Sequence, residues 1–190
     1  QNKLTNDYLL EIPFRDKIHN RLSELWNYTK YSQPFKSGNN YFFLKNYWLS
    51  PQSILYIQKG INSEAEILLD PNKFSEDGTI ALLDLSLSRD GKYLAYSVTK
   101  SGSDWLEIYV LDIKTKEILP DKIEWVKFSG ANWYKDGFFY YSYHRSAPRN
   151  SLTAFNDFEV GCYHMLGTRQ GEHMIIYDDR NNPHRSYWLS

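Results

Sequence analysis

The sequence predicts an all-β fold: an incomplete β-propeller of about three four-stranded antiparallel blades, preceded by a short helical segment. Three observations predict it. Aromatic residues make up 17% of the 190 positions, with 16 Tyr, 10 Phe and 6 Trp, and such side chains suit pleated, half-buried surfaces. Gly38, Gly91 and Gly137, spaced 53 and then 46 positions apart, sit at turn clusters that lead into short apolar runs. Each such unit holds four strand-like runs in roughly 50 residues, the period of a propeller blade. Propellers close with about four to eight blades, so three leave the ring open.

The elements follow in order. Over residues 1–27, Phe14, Ile18, Leu22, Leu25 and Trp26 fall on one helical face. Pro13 stands where a first helical position tolerates it. A shorter helix with Leu4, Tyr8 and Leu9 on its apolar side comes before. Helical spacing stops near Tyr28, and residues 28–190 read as a partial propeller with blades at about 29–73, 79–122 and 126–179. Runs 41–44, 54–57 and 66–69 serve the first blade, 93–96, 107–110 and 117–119 the second, and 138–141, 163–166 and 174–177 the third. WVKFS (125–129) reads as the opening of the third blade, and 183–190 as the start of a fourth.

Several function classes drop out. A formal net charge of −1 leaves no electrostatic footprint for nucleic acid or an anionic membrane. No apolar run approaches the roughly 18 residues needed to cross a bilayer. The single cysteine, Cys162, cannot form an internal disulfide and reads as a small buried hydrophobe. A Gly-x-Ser-x-Gly elbow, which would expose a nucleophilic serine, is absent. Ser103 has Gly102 before it but Asp104 and Trp105 after it, and reads as a loop residue. His19, His144, His164, His173 and His184 show no metal-ligand spacing. Glu76-Asp77 and Asp178-Asp179 lie beside turn residues, where acids bond the local backbone. The expectation is therefore no catalytic residue, no metal and no cofactor within these residues. Two stretches hold more interest: the small-residue loop 99–105, ending in Asp104 and Trp105, and the run 125–129.

Longer strings carry a resemblance. LSELWNYTKYSQPFKSGNNYFF, LLDPNKFSEDGTIAL, SLSRDGKYLAYSVTKSGSDW and WVKFSGANWYKDGFFYYSY resemble the prolyl oligopeptidases, serine endopeptidases that cut short peptides on the carboxyl side of proline. The resemblance implies a seven-bladed propeller capping an α/β-hydrolase domain that carries the Ser-Asp-His triad. Residues 1–27 then belong to the hydrolase domain, and the triad lies outside this chain. It further implies that Phe128 lines an apolar subsite for substrate and that Asp104 faces a basic residue of the hydrolase domain near the cleft. The implied partners are a proline-containing peptide and that missing domain, with no cofactor. The likeness thins after Arg145, and Cys162 is not the cysteine that the family carries near its cleft.

The start QNKLTNDYLL has no signal-peptide pattern, and PHRSYWLS stops inside an apolar-looking run. Both ends are read as cut, which makes the chain an inactive fragment of a longer enzyme. The alternative is a non-enzymatic propeller scaffold that binds a protein or peptide partner. The helical N-terminus has a place in the first reading and none in the second.

Overall fold

A computed structural model of the chain describes residues 2–143 and 157–186. Two helices come first, α1 over Asn2–Leu10 and α2 over Arg15–Trp26. Pro13 lies in the turn between them, and Phe14 is the N-cap of α2. The apolar stripe is present, but nothing among the described residues covers it. No residue of either helix is buried, and Phe14, Ile18, Leu22, Leu25 and Trp26 are each at least half exposed.

Among the described residues from Lys30 onward the regular structure is strand, apart from two single-turn 3-10 segments. In the first unit β1 (Lys30–Tyr31) and β2 (Phe35–Ser37) share one edge of β3 (Asn40–Asn46), and β4 (Ile54–Lys59) and β5 (Ala65–Leu69) continue the sheet. Pro34 stands between β1 and β2, and a proline cannot donate to a ladder. Ser32 fills part of the gap, its amide donating to the Leu44 carbonyl and its Oγ accepting from the Leu44 amide, both at 2.9 Å. The second unit is β6 (Ile80–Leu87), β7 (Tyr93–Lys100), β8 (Leu106–Asp112) and β9 (Ile118–Val126). The third is β10 (Asn132–Tyr134), β11 (Gly137–Ser142), β12 (Val160–Met165) and β13 (Met174–Asp178). Among the described residues every pairing is antiparallel and none closes a ring. This is an incomplete propeller.

One boundary differs from expectation. β9 runs on to Val126, where it meets Ser142 of β11 in a single residue pair, so 125–129 does not open the third unit. Trp125 and Phe128 both have left-handed backbone (φ 61° and 52°). They turn the chain, and the next strand starts only at Asn132. Residues 183–186 form no strand, and 187–190 lie outside the described residues.

The second unit is sandwiched, and its period-2 alternation sorts its side chains between two cores. Leu94, Tyr96, Val98 and Leu111 pack with Phe42, Leu55, Leu68 and Leu69 of the first unit. Ala95, Ile108, Val110, Ile123 and Val126 pack with Trp133, Phe138, Tyr140, Val160 and Cys162 of the third. A strand buried on both faces loses its polar alternation, and β7 is buried from Leu94 through Thr99.

Polar ties supplement the packing. Gln52, in the β3–β4 loop, donates from Nε2 to the Ile80 carbonyl (2.8 Å) and accepts at Oε1 from the Leu82 amide (2.9 Å), pairing with β6 as a strand would. Gln170 does the same to Glu124 of β9, at 2.9 and 2.8 Å. Lys116 reaches Glu66 at 2.8 Å. On the far side of the second unit, Asp121 Oδ1 accepts from His164 Nε2 and from the Gly167 amide, both at 2.8 Å.

Two outcomes test this account. Ile108→Ala, at a position 1% exposed, should cost about 2–5 kcal/mol in urea unfolding, whereas exposed Ile118→Ala should stay within about 0.5 kcal/mol. Glu107 supplies a pH test. Burial alone would raise its pKa, but hydrogen bonds from Lys100 (2.8 Å) and Tyr109 (2.5 Å), with the Lys122 charge, hold it below the ordinary glutamate value. A depressed folded-state pKa stabilises above the unfolded value and is lost on acidification. Unfolding midpoints of the native chain and Glu107→Gln should therefore differ at neutral pH and converge as the pH falls below 4.5.

Candidate functional site

Strand direction sorts the loops into two ends. β9 runs the same way as β7, two antiparallel steps away, so the connections 101–105 and 127–131 sit at one end of the second unit, here the upper one, and Gln52 brings the connection 47–53 to the start of β6 at that same end. The chain also arrives from α2 at the upper end, because Lys30 pairs with Asn46 at the finish of β3. Lys30 Nζ donates to the Trp48 carbonyl (3.0 Å) and lies over the Tyr28 ring at 5.2 Å. Large apolar side chains are exposed along this end: Trp26, Tyr28, Trp48, Leu49, Trp125 and Phe128.

Two loops of the second unit form the centre of the site. The β7–β8 hairpin turns on Ser101 (φ 52°) and Gly102 (φ 70°). It is fixed by the Ser103 amide donating to the Lys100 carbonyl (3.0 Å), the Trp105 amide to Ser103 Oγ (3.1 Å), and Thr99 Oγ1 to the Ser103 carbonyl. Asp104 stands exposed at its tip, with no hydrogen bond or ion pair among the described residues. Trp105, next in sequence, is half-buried.

The second loop follows β9. Val126, Lys127 and Ser129 are buried while Phe128 between them is 69% exposed. Its flanks are held to β11: the Trp125 carbonyl accepts from the Tyr143 amide (2.9 Å) and Ser142 Oγ (3.2 Å), and Ser129 Oγ accepts from the Tyr141 amide (2.9 Å). A bulky residue at positive φ is an outlier whose strain the surroundings must hold in place. Trp125, Phe128 and Phe158 are three such residues.

The loops meet at an indole. Lys127 Nζ lies 4.3 Å from the Trp105 ring centroid, and the lysine is only 6% exposed. Desolvated cation–π contacts of this kind are worth about 2 kcal/mol. Trp125 and Tyr143 present their rings edgewise to Trp105, at 5.4 and 6.5 Å. Tyr143 donates to Glu159 Oε1 at 2.9 Å, and burial together with that carboxylate pushes the phenol pKa well up.

The other sequence candidates are structural here. Ser103 is a hairpin residue. Asp77 accepts from the amide and hydroxyl of Thr79, and Asp179 from the Asn181 amide. Cys162 is fully buried, 3.9 Å from His173 Nε2, and Tyr140 bonds His173 Nδ1 at 2.6 Å. His144 lies outside the described residues. Among those described, no three His, Cys, Asp or Glu side chains group as a metal site, and no helix is long and apolar enough to cross a membrane.

Residues 1–190 match the profile of the family described as "Prolyl oligopeptidase, N-terminal beta-propeller domain". The chain belongs to this family. It is 43% identical over 184 residues to the prolyl endopeptidase of Elizabethkingia meningoseptica, covering 96% of this chain and 26% of that one. Against the dual function macrocyclase-peptidase POPB of Galerina marginata the figures are 31% over 211 residues, 98% and 29%. The solved structure of prolyl oligopeptidase B from Galerina marginata, bound to a 35mer hydrolysis and macrocyclization substrate, superposes with a TM-score of 0.84 at 28% identity, over 94% of this chain and 27% of that one. The chain thus spans about a quarter of the length of the relatives it matches.

Of the residues expected to line the cleft, Phe128 and Asp104 are both exposed. The Trp105–Lys127 contact was missed, although the signal was there: each member sits next in sequence to one of those residues. One consequence of the strained geometry can be measured. Phe128→Gly should stabilise the chain by about 0.5–1.5 kcal/mol in thermal unfolding, because glycine adopts positive φ without steric cost. Phe128→Ala keeps a Cβ at the same φ and should give none of that gain.

Proposed function

We propose that this chain is the N-terminal part of a prolyl oligopeptidase, a serine endopeptidase that hydrolyses short peptides on the carboxyl side of proline. Residues 1–27 belong to its α/β-hydrolase domain, and residues 28–190 to a propeller that restricts access to the active site. The serine, histidine and aspartate of the triad lie in the remainder of the enzyme, so these 190 residues alone are inactive. In the whole enzyme the serine attacks the carbonyl after proline, the histidine carries its proton, and backbone donors hold the oxyanion. The propeller contributes shape and two side chains rather than chemistry.

The observation that carries this reading is Phe128, a strained, exposed aromatic on bolted flanks, at the end of the strands where the chain arrives from its helices. A rigid ring with few rotors suits an apolar peptide subsite. Asp104 at the same end, without an ion pair among the described residues, suits a contact with a basic residue of the hydrolase domain. The exposed stripe of α2 has the composition of a surface that packs inside that domain.

The test uses the full-length enzyme. Phe128→Ala should lower kcat/KM about tenfold for proline peptides with a bulky apolar residue ahead of the proline, mostly through KM, since an aromatic contact is worth roughly 1–2 kcal/mol. Unchanged kcat/KM would remove Phe128 from the subsite. Proline-specific hydrolysis by residues 1–190 alone would contradict their inactivity.

A further inference from the structure

We propose that the Trp105–Lys127 contact is a coupling element: it makes the position of Phe128 depend on the position of Asp104, so that peptide binding and domain contact bias each other. The proposal rests on the reading of Phe128 and Asp104 given above. Asp104 lies on the connection between β7 and β8, and Phe128 on the connection after β9. Trp105 directly follows Asp104, and Lys127 directly precedes Phe128. The buried Lys127 ammonium, 4.3 Å from the Trp105 ring centroid, joins the two loops at those neighbouring residues.

The surroundings make the joint stiff. Trp125 and Tyr143 flank the indole edgewise, and the Trp125 carbonyl is tied to β11 from two donors. The indole therefore cannot shift without moving either Lys127 or the segment that leads into it. Left-handed backbone at Trp125 and Phe128 removes slack from that segment, since non-glycine residues have only a small allowed region there. A displacement of the Asp104 hairpin on meeting the hydrolase domain would thus reach Phe128 through two adjacent residues. By linkage the effect is reciprocal: a peptide held against Phe128 would favour the hairpin position that suits the domain contact. Lys127 and Trp105 are positioning residues, with no role in bond making.

A lysine suits this task because its ammonium is drawn to the ring face, whereas methionine of similar length would fill the space without the attraction. Full-length enzyme carrying Lys127→Met should show KM raised about five- to tenfold for a peptide long enough to reach Phe128, because the buried ammonium over the indole is removed. A substrate truncated just ahead of the proline should respond by less than about twofold, as expected for a contact felt only through Phe128. Lys127→Arg, which keeps a cation over the indole, should restore the long-substrate KM. In an Asp104→Asn background the Lys127→Met effect should shrink at least about threefold, the signature of sites that act as one.

Independent, multiplying effects of Lys127→Met and Asp104→Asn would overturn the coupling, as would equal losses on long and truncated peptides. The control is Phe128→Ala. If it also fails to separate long from truncated peptides, the subsite reading itself falls. If it separates them and Lys127→Met does not, only the coupling falls. Should Lys127→Met not fold, Trp105→Phe weakens the same contact from its other side and is read by the same criteria.

Discussion

A four-stranded sheet with apolar side chains on both faces cannot exist in water by itself, and most of this structure follows from that constraint. The second unit satisfies it completely. Its even-numbered β7 residues Leu94, Tyr96 and Val98 face the first unit, and Ala95 faces the third. The outer units satisfy it on one side only. On the far face of the first unit, Tyr31, Phe43 and Tyr56 form a ring ladder. Lys45 lies over Tyr31, Tyr47 and Tyr56 at 5.2, 4.2 and 5.8 Å. On the far face of the third unit, Phe139 packs with Tyr134 and Tyr163. Aromatics with polar tips tolerate either a neighbouring sheet or water. They suit faces whose cover comes from outside these three units.

The two ends of the strands have different work. At the lower end, the units are joined by contacts that satisfy backbone and charge together. Asp121 collects His164 and the Gly167 amide, Gln170 pairs with β9, and Lys116 donates both to Glu66 and to the Ile67 carbonyl. Buried polar groups bonded across units favour one arrangement over its neighbours, and here His164 is so bonded only through Nε2, its Nδ1 having no partner among the described residues. The upper end holds the bulky residues at strained φ, Trp48, Trp125, Phe128 and Phe158, and the exposed aromatics. Strain there is sustainable because the sheets below are packed on both sides of the second unit. The scaffold and the site are thus separated along the strand axis.

How much of this the sequence carried depends on the range of the interaction. Strand positions were legible because alternation and turn residues are local signals, and Gly38 and Gly91 do take the left-handed turns their spacing implied (φ 57° and 68°). Gly137 looked like the third of the set but is a strand residue. A Cβ there would come within 2.0 Å of the His164 carbonyl, and Lys135 takes the left-handed position instead. The end of β9 was misread because Trp125 and Val126 continue an alternating pattern with no glycine or proline to mark the turn. The Asp121–His164 tie spans 43 positions, and Gln52 reaches β6 across 28. Neither contact has a local pattern by which to predict it. The roles expected of Phe128 and Asp104 come only from their family strings, since composition alone gives an exposed Phe and an exposed Asp no meaning.

The strain at Phe128 closes the argument from sheet to site. A relaxed loop with a glycine at that φ would leave no ring, and a β-region phenylalanine following Val126 and Lys127 would be aimed by the ordinary alternation of the strand. Left-handed backbone is what lets its neighbours Val126, Lys127 and Ser129 stay buried while Phe128 between them points out. The cost of that geometry is met by the hydrogen bonds from Tyr141, Ser142 and Tyr143 and by the core beneath Val126. Each of those supports belongs to the third unit or to its interface with the second. The exposed ring at the upper end is therefore a product of blade packing, and a propeller cut back to two units would lose it.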